Sequence, residues 1–155
     1  MTAPDAAPLR LAALNALARR EHSRAELHQK LASPENSEVL EQVLDRLQEQ
    51  DLQSDLRFAE AYCRSRIARG YGWLQIAQGL RAKGVGGELR DEVRGNLDVD
   101  WFALAVDAAV KRFGHQPCAD NREKARRIRF LQYRGFNGDQ VRYALDALGR
   151  DEGEA

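Results

Sequence analysis

The sequence has little cysteine, the residue on which disulfide-stabilised folds and many metal sites depend. Cys63 and Cys118 are its two cysteines among 155 residues, and neither has a partner at metal-ligand spacing. We therefore expect no disulfide framework, no metal and no cofactor. No run of 18 apolar residues occurs, and no apolar segment follows a basic start. These absences predict a soluble protein of the reducing cytoplasm without a membrane partner.

Recognisable catalytic motifs are also missing. The three histidines are scattered, no glycine-rich phosphate loop precedes a helix, and the few serines have no histidine and aspartate in a triad-like pattern. We expect a protein that is not an enzyme and whose helical carboxylates act as caps and surface partners. A further alternative is a helical hydrolase with an unrecognised site, which turnover of nucleotide or DNA by the purified chain would establish.

The formal net charge is zero, yet the charge is unevenly distributed along the chain. Residues 1–55 carry a net charge of −4, residues 56–99 carry +3 and residues 100–155 carry +1. Segregated charge produces local electrostatic fields that a zero total conceals. A nucleic-acid or acidic partner is therefore compatible with the composition.

Apolar residues recur at helical spacing throughout, and no alternating strand pattern is present. Ser23 and Glu26 form a capping box that predicts the start of a short helix. Two stripes predict the helices on either side of it: Leu11, Leu14 and Leu17, and then Leu40, Val43, Leu44 and Leu47.

An internal repeat organises the predicted helices. Leu80, Lys83, Gly84 and Val85 recur 51 residues later as Leu131, Arg134, Gly135 and Phe136, and each glycine is expected to end a helix in the left-handed conformation. The sequence therefore predicts an all-α fold, an elongated tandem array of three three-helix, helix-turn-helix-like repeats. The expected segments are a flexible N-terminus (1–8), the three repeats (9–53, 54–98 and 99–149) and an acidic tail (150–155).

The helix predicted over residues 122–134 carries the most informative side chains. Arg122, Arg126, Arg129 and Tyr133 fall within about 60° of one another on a helical wheel. Arginine forks suit phosphates or carboxylates, and a tyrosine beside them can stack on a base or pack in a protein interface. We expect these four residues and the adjacent Arg134 to bind a partner, the alternative being a solvated face.

A second basic surface is predicted in the central repeat, residues 54–98. Arg57 and Arg64 share one outward helix face, and Arg69, Arg81 and Lys83 lie close to the next corner. Arg66 instead turns towards the expected core, where pairing with a carboxylate would offset the cost of burying its charge. We therefore expect a structural role for Arg66.

Most aromatic residues are expected in packing roles. Phe58 and Tyr62 are predicted to form an i, i+4 pair in the core, and Cys63 is predicted to be a small core residue. Trp101 and Phe102 are predicted to pack between repeats. Tyr71 and Trp73 bracket Gly72 at a helix junction, where they either seal two units or protrude for a partner.

Three blocks of the sequence resemble the RecX family. The central block comprises Asp55, Arg57, Phe58, Ala59, Tyr62, Arg66, Gly72, Ile76, Leu80, Lys83, Gly84 and Val85. The opening block is Arg19 to Leu27 with Lys30 and Leu31, and the closing block is Arg129 to Leu131 with Arg134 to Phe136. The resemblance spans roughly residues 9–148 and implies a modular helical protein.

The same resemblance implies the function. The family's members are expected to bind RecA–DNA filaments in the filament groove and to inhibit recombinase, ATPase and coprotease activities. A monomer is expected, and single- or double-stranded DNA is a possible further partner. The alternative is a helix-turn-helix-like protein that binds DNA directly, which requires a recognition helix whose side chains reach base edges.

Overall fold

The computed structural model describes residues 6–153, with side chains to residue 149, and all regular structure in this range is helical. The helices are α1 (Ala6–Arg19), α2 (Arg24–Leu31), α3 (Ser37–Glu49), α4 (Asp55–Ala68), α5 (Trp73–Ala82), α6 (Gly87–Asn96), α7 (Trp101–Phe113), α8 (Asn121–Tyr133) and α9 (Gly138–Gly153). The predicted all-α fold of three three-helix repeats is confirmed. Within the described range no helix combines the length and the apolar character that a membrane crossing requires.

The helices form two compact units. Within the described range, the first unit contains residues 6–62 and 80–95, and the second contains residues 63–79 and 96–153, so α4 and α5 contribute to both. The predicted boundaries of the three sequence repeats stay a prediction. Two ends differ from expectation: α1 already includes residues 6–8, and α9 continues into the predicted tail as far as Gly153. Residues 1–5 and 154–155 lie outside the described range.

The first unit has a core built from the predicted stripe of α3. Leu40, Val43, Leu44 and Leu47 are all buried, together with Ala13, Ala16 and Leu27. The capping box is confirmed, because the Ser23 hydroxyl accepts from the Glu26 N–H at 3.1 Å and the Ser23 N–H donates to the Glu26 carboxylate at 3.0 Å. In the predicted stripe of α1, Leu14 and Leu17 pack against this core beside the buried Ala13 and Ala16, whereas Leu11 is 59% exposed.

The second unit has a core rich in alanine. Ala105, Ala108, Ala109 and Ala144 are buried with Leu131, Phe136, Val141 and Leu148. The small side chains lie on α7 and α9, which make the most extensive helix–helix contact among the described elements. Alanine side chains allow α7 and α9 to approach closely, and α8 packs against both helices.

Helix-ending glycines occupy the two corners that the repeat predicts. Gly84 and Gly135 have φ angles of +82° and +98°. The next N–H in each corner reaches back to the last helical turn, from Val85 to the Leu80 carbonyl at 3.0 Å and from Phe136 to the Leu131 carbonyl at 3.1 Å. Both corners therefore form the hydrogen-bond pattern of a Schellman motif, and the predicted left-handed glycines are confirmed.

In the second unit, the Gly135 corner packs directly on the backbone at the start of α5. The Gly72 N–H donates to the Arg134 carbonyl at 2.7 Å, and the Leu74 N–H donates to the Gly135 carbonyl at 3.1 Å. A β-carbon on Gly72 would lie 2.6 Å from the Gly135 carbonyl carbon, and one on Gly135 would lie 2.5 Å from the Gln75 nitrogen. We call this arrangement the corner contact, and it requires glycine on both sides.

The first unit contains a similar contact made with a side chain. The Ser23 hydroxyl donates to the Lys83 carbonyl at 2.7 Å, and a β-carbon on Gly84 would lie 2.5 Å from that of Ala25. The Lys83 ammonium also pairs with Glu26 at 3.3 Å. Ser23 thus caps α2 and holds the Gly84 corner with the same hydroxyl group.

Most of the predicted packing residues are buried or half-buried. Phe58 and Cys63 are in the core, and Tyr62 lies half-buried with its ring centroid 5.8 Å from that of Phe58. Trp73 is buried and packs edge-on against Trp101 at 6.2 Å, so it seals its junction.

Phe102 is predicted to pack between sequence repeats, and that prediction is wrong. It is 40% exposed and lies edge-on to Tyr143 at 5.3 Å, within the helices of its own repeat. The residue follows Trp101 at the start of α7, and helical geometry turns consecutive side chains about 100° apart, so only the tryptophan faces the buried side.

Replacement of Gly72 by alanine should strongly destabilise the protein. The new β-carbon would overlap the Gly135 backbone, which has no flexible side chain to move aside, so we expect a loss of about 2 kcal/mol or more in the free energy of unfolding. The matched control is Gly95→Ala, in a helix with no heavy atom near the new β-carbon, which should gain about 0.5 kcal/mol. Chemical denaturation of the three proteins measures both values. Equal stability of the Gly72→Ala protein and the parent would contradict the corner contact.

The Glu26 carboxylate should make folding sensitive to acid. Burial alone would raise the pKa of Glu26, but hydrogen bonds from Arg20, the Ser23 backbone and Lys83 outweigh it and hold that pKa below its ordinary value of 4.5. A lowered folded-state pKa gives stability that is present above pH 4.5 and is lost as the pH falls through the folded-state value. Glu26→Gln should therefore be less stable than the parent at pH 7, and the difference should shrink in acid. Denaturation curves at several pH values test this, and a pH-independent difference would refute it.

Candidate partner-binding surface

Helix α8 separates a buried side from an exposed side. Asp120 caps its start by accepting from the Glu123 N–H at 2.8 Å, and Arg127 and Leu131 face inward. Packing of Leu131 into the second unit's core therefore sets which side of α8 meets solvent. The side chains on that outer side are available to a partner.

The four residues predicted on one side of this helix are all exposed, and we call them the α8 face: Arg122, Arg126, Arg129 and Tyr133. Tyr133 is 77% exposed, which is unusual for a large aromatic side chain. Among the described residues, Arg122 and Arg129 have no hydrogen-bond or ion-pair partner. Within the described range, two guanidinium groups without partners and one exposed aromatic ring therefore share this surface.

Arg126 is less available than its neighbours on the α8 face. Two of its nitrogens donate to the Glu123 carboxylate, at 3.1 and 3.0 Å, and its guanidinium lies 5.5 Å from the Phe113 ring centroid. The hydrogen bonds with Glu123 raise the pKa of Arg126, and those from Arg126 and then Arg127 lower the pKa of Glu123. The pairing partly neutralises Arg126, so Arg122 and Arg129 dominate the local field.

Arg127 is a structural residue that the sequence did not distinguish from its neighbours. Its side chain is only 6% exposed, and it donates to Glu123 at 3.1 Å and to the Gln116 carbonyl at 2.7 Å. The guanidinium also lies 5.0 Å from the Phe113 ring centroid. Arg127 therefore anchors the loop between α7 and α8, and the i, i+4 spacing from Glu123 was the one signal in the sequence.

Arg134 is held in place by two aromatic rings. Its guanidinium lies 4.7 Å from the Tyr71 ring centroid and 5.0 Å from that of Phe130, and one nitrogen donates to the Arg69 carbonyl at 2.8 Å. Stacking and a single hydrogen bond orient the fork and leave further N–H donors unused.

A cleft of about 360 Å³ lies beside Arg134 in the second unit, and we call it the α7–α8 cleft. Four basic residues line it, namely Arg69, Lys111, Arg112 and Arg134, together with one acidic residue, Asp107. Ile67, Leu104, Ala108 and Phe130 are among its apolar lining residues. Sequence reasoning identified Arg69 and Arg134 but missed Lys111 and Arg112, whose signal was an adjacent basic pair in the last turn of α7.

In the first unit, Arg57 is already engaged by acidic residues. It donates to Glu21 at 2.9 Å and to the Asp51 carboxylate at 2.9 Å, and these hydrogen bonds raise its pKa. Lys83 pairs with Glu26, as described above, whereas Arg81 is exposed. Arg57 and Lys83 thus contribute to the fold whether or not they also meet a partner.

The remaining predicted residues lie in the second unit. Arg64 and Arg69 are exposed, and Arg66 is half-buried with its guanidinium 5.4 Å from the Tyr71 ring centroid. Tyr71 therefore lies close to two guanidinium groups, those of Arg66 and Arg134, which favours the sealing role over a protruding one. The structure brings together Arg69 and Arg134 but gives Arg64 no part in the cleft.

Three family models match the chain in order. The first, second and third three-helix domains of RecX match residues 10–47, 54–93 and 98–145. Proteins named regulatory protein RecX are similar over most of their length. The one from Halorhodospira halophila is 47% identical, with 93% of this chain and 90% of the relative covered, and the one from Chromohalobacter salexigens is 43% identical, with 94% and 95% covered.

Solved structures agree in fold. The crystal structure of RecX from Lactobacillus salivarius superposes with a TM-score of 0.78 at 23% identity, covering 95% of this chain and 98% of that one. A second crystal structure, of a regulatory protein RecX, gives a TM-score of 0.76 at 25% identity, covering 93% of this chain and 74% of that one.

Two arginines on opposite sides of α8 should respond differently to alanine substitution. Arg127→Ala removes a buried cation and leaves the Gln116 carbonyl without its donor, so we expect a loss of about 2 kcal/mol in the free energy of unfolding. Arg122→Ala, on the exposed side, should change it by no more than about 0.5 kcal/mol. Thermal and chemical denaturation compare the two variants. Similar losses in both would show that the exposed arginine also supports the fold.

Proposed function

The chain belongs to the RecX family of regulatory proteins, and we propose that it binds RecA–DNA filaments and inhibits their recombinase, ATPase and coprotease activities without chemistry of its own. Its place of action is then the cytoplasm, where the filaments form. The observation that carries the proposal is the α8 face, where an exposed tyrosine lies beside two arginines that have no ion-pair partner in the described part of the chain.

The charge of the second unit supports this proposal. Its residues 63–79 and 96–149 contain twelve basic and seven acidic side chains, a net charge of +5, whereas residues 6–62 and 80–95 of the first unit have a net charge of −2. A RecA–DNA filament presents DNA phosphates and protein carboxylates, which attract a positively charged surface. The second unit is therefore the favoured contact.

Three repeats in one chain favour binding to a periodic target. A filament presents the same surface on successive protomers, and a tandem chain can touch more than one of them, so individually weak contacts combine. A monomer is sufficient for this mode of binding, because the multiple contacts come from the filament and from the repeats within the chain.

Charge reversal on the α8 face should weaken inhibition of the filament. The parent protein, added below stoichiometry to preformed filaments of the cognate RecA, should lower ATP hydrolysis and strand exchange. In the double variant Arg122→Glu with Arg129→Glu, half-inhibition should require about tenfold more protein, because two attractive contacts become repulsive. Rates of ATP hydrolysis over a protein titration provide the measurement.

The matched control reverses two other exposed charges of the second unit, Lys124→Glu with Arg142→Glu. It changes the net charge equally, and Lys124 lies about 200° around α8 from Arg122. This control should inhibit like the parent. Equal inhibition by both double variants would contradict a role for the α8 face, and no inhibition by the parent at any concentration would contradict filament regulation. Sequence-dependent DNA binding without RecA would instead favour the helix-turn-helix alternative.

A further inference from the structure

We propose that the α7–α8 cleft is a phosphate-binding site for a nucleic-acid strand. The assignment deepens the proposed function, since it gives the protein direct contact with the DNA of the filament, but its test needs no RecA. It concerns Lys111 and Arg112 of α7 together with Arg134 after α8, a set distinct from the α8 face.

The cations of the cleft have no carboxylate partner in the part of the chain that the structure describes. Among the described residues, no ion pair joins Arg69, Lys111, Arg112 or Arg134 to an acidic side chain, in contrast to Arg57 and Arg126. Asp107 is the one carboxylate in the lining, so four basic groups exceed it by three charges. Cations gathered in a concave surface produce a stronger field than the same charges on a convex one, because low-dielectric walls focus the field. The cleft is therefore suited to an anion.

Two of the guanidinium groups are oriented before any ligand arrives. Arg134 and Arg112 lie 5.0 and 5.8 Å from the centroid of the same Phe130 ring, and Arg134 is further fixed by Tyr71 and the Arg69 carbonyl. A guanidinium that stacks on an aromatic ring loses less rotational freedom when it binds, while its edge N–H groups remain available to an anion. Such forks match the paired oxygens of a phosphate.

A nucleic-acid strand fits the surroundings better than a lone carboxylate does. A carboxylate and a phosphodiester each present two charged oxygens, but a strand repeats the phosphodiester at every nucleotide and can continue beyond the cleft. Both the cleft and the α8 face involve α8, which supplies Phe130 to the first and Arg129 to the second. Apolar lining residues such as Leu104 and Ala108 suit a sugar next to the phosphate. A nucleic-acid backbone is therefore the occupant that uses the whole site.

The test measures DNA binding by the full chain in the absence of RecA. Fluorescence anisotropy with a labelled 20-nucleotide oligo-dT should show at least tenfold weaker binding for Lys111→Ala with Arg112→Ala than for the parent. The slope of log affinity against log salt should become shallower by about 0.7 for each lost phosphate contact. The matched control, Lys124→Ala with Arg142→Ala, should bind within twofold of the parent and keep its slope. A duplex of the same length shows whether the site prefers one strand or two.

A gain-of-binding variant separates the site from simple misfolding. Asp107→Asn removes the one acidic group in the cleft lining, so it should tighten oligo-dT binding several-fold, which a damaged fold would not do. Unchanged DNA affinity in both the Asp107 variant and the Lys111/Arg112 variant would overturn the proposal. It would also be overturned if the Lys111/Arg112 variant lost binding to labelled polyglutamate but kept its affinity for DNA, since the cleft would then serve an acidic protein. Because RecA is absent, either result leaves filament inhibition as a separate question.

Discussion

The corner contact is the constraint on which the second unit depends. Gly72 and Gly135 bring two backbone segments so close that neither can carry a β-carbon, and two N–H groups then donate directly to the carbonyls of Arg134 and Gly135. This position of the corner sets where the Arg134 side chain starts, and so allows it to stack between Tyr71 and Phe130. The corner contact thus determines the position of Arg134, which lines the α7–α8 cleft.

The first unit makes a contact of the same kind, but with a side-chain donor instead of a backbone N–H group. Ser23 lies 49 residues before Gly72, and its hydroxyl donates to the Lys83 carbonyl in the place where the later contact uses a backbone N–H. A side-chain hydroxyl can also cap α2, so one residue satisfies two needs. In this chain each of the two contacts joins a helix corner of one sequence repeat to the start of a helix in the preceding repeat.

Arginine has two uses in this protein, and the surroundings separate them. Arg127 and Arg57 have carboxylates and backbone carbonyls within hydrogen-bond distance, so their charges are satisfied and they hold loops and helices in place. Arg122, Arg129 and Arg112 have no such partners among the described residues. Unsatisfied cations on one unit leave a field that acts outside the molecule, which is the basis for both proposals on filament and DNA binding.

The sequence by itself determined the all-α class, the three-helix repeats, the capping box at Ser23 and the left-handed glycines at 84 and 135, because each depends on neighbours within a few residues or on a repeated pattern. The helical wheel likewise placed Arg122 and Arg129 on one exposed side. Tertiary structure alone decided which groups surround Arg127, Lys111 and Arg112. Whether a cation is paired depends on the acceptors that folding brings near it from distant parts of the chain, such as the Gln116 carbonyl for Arg127, and local spacing carries little information about those acceptors.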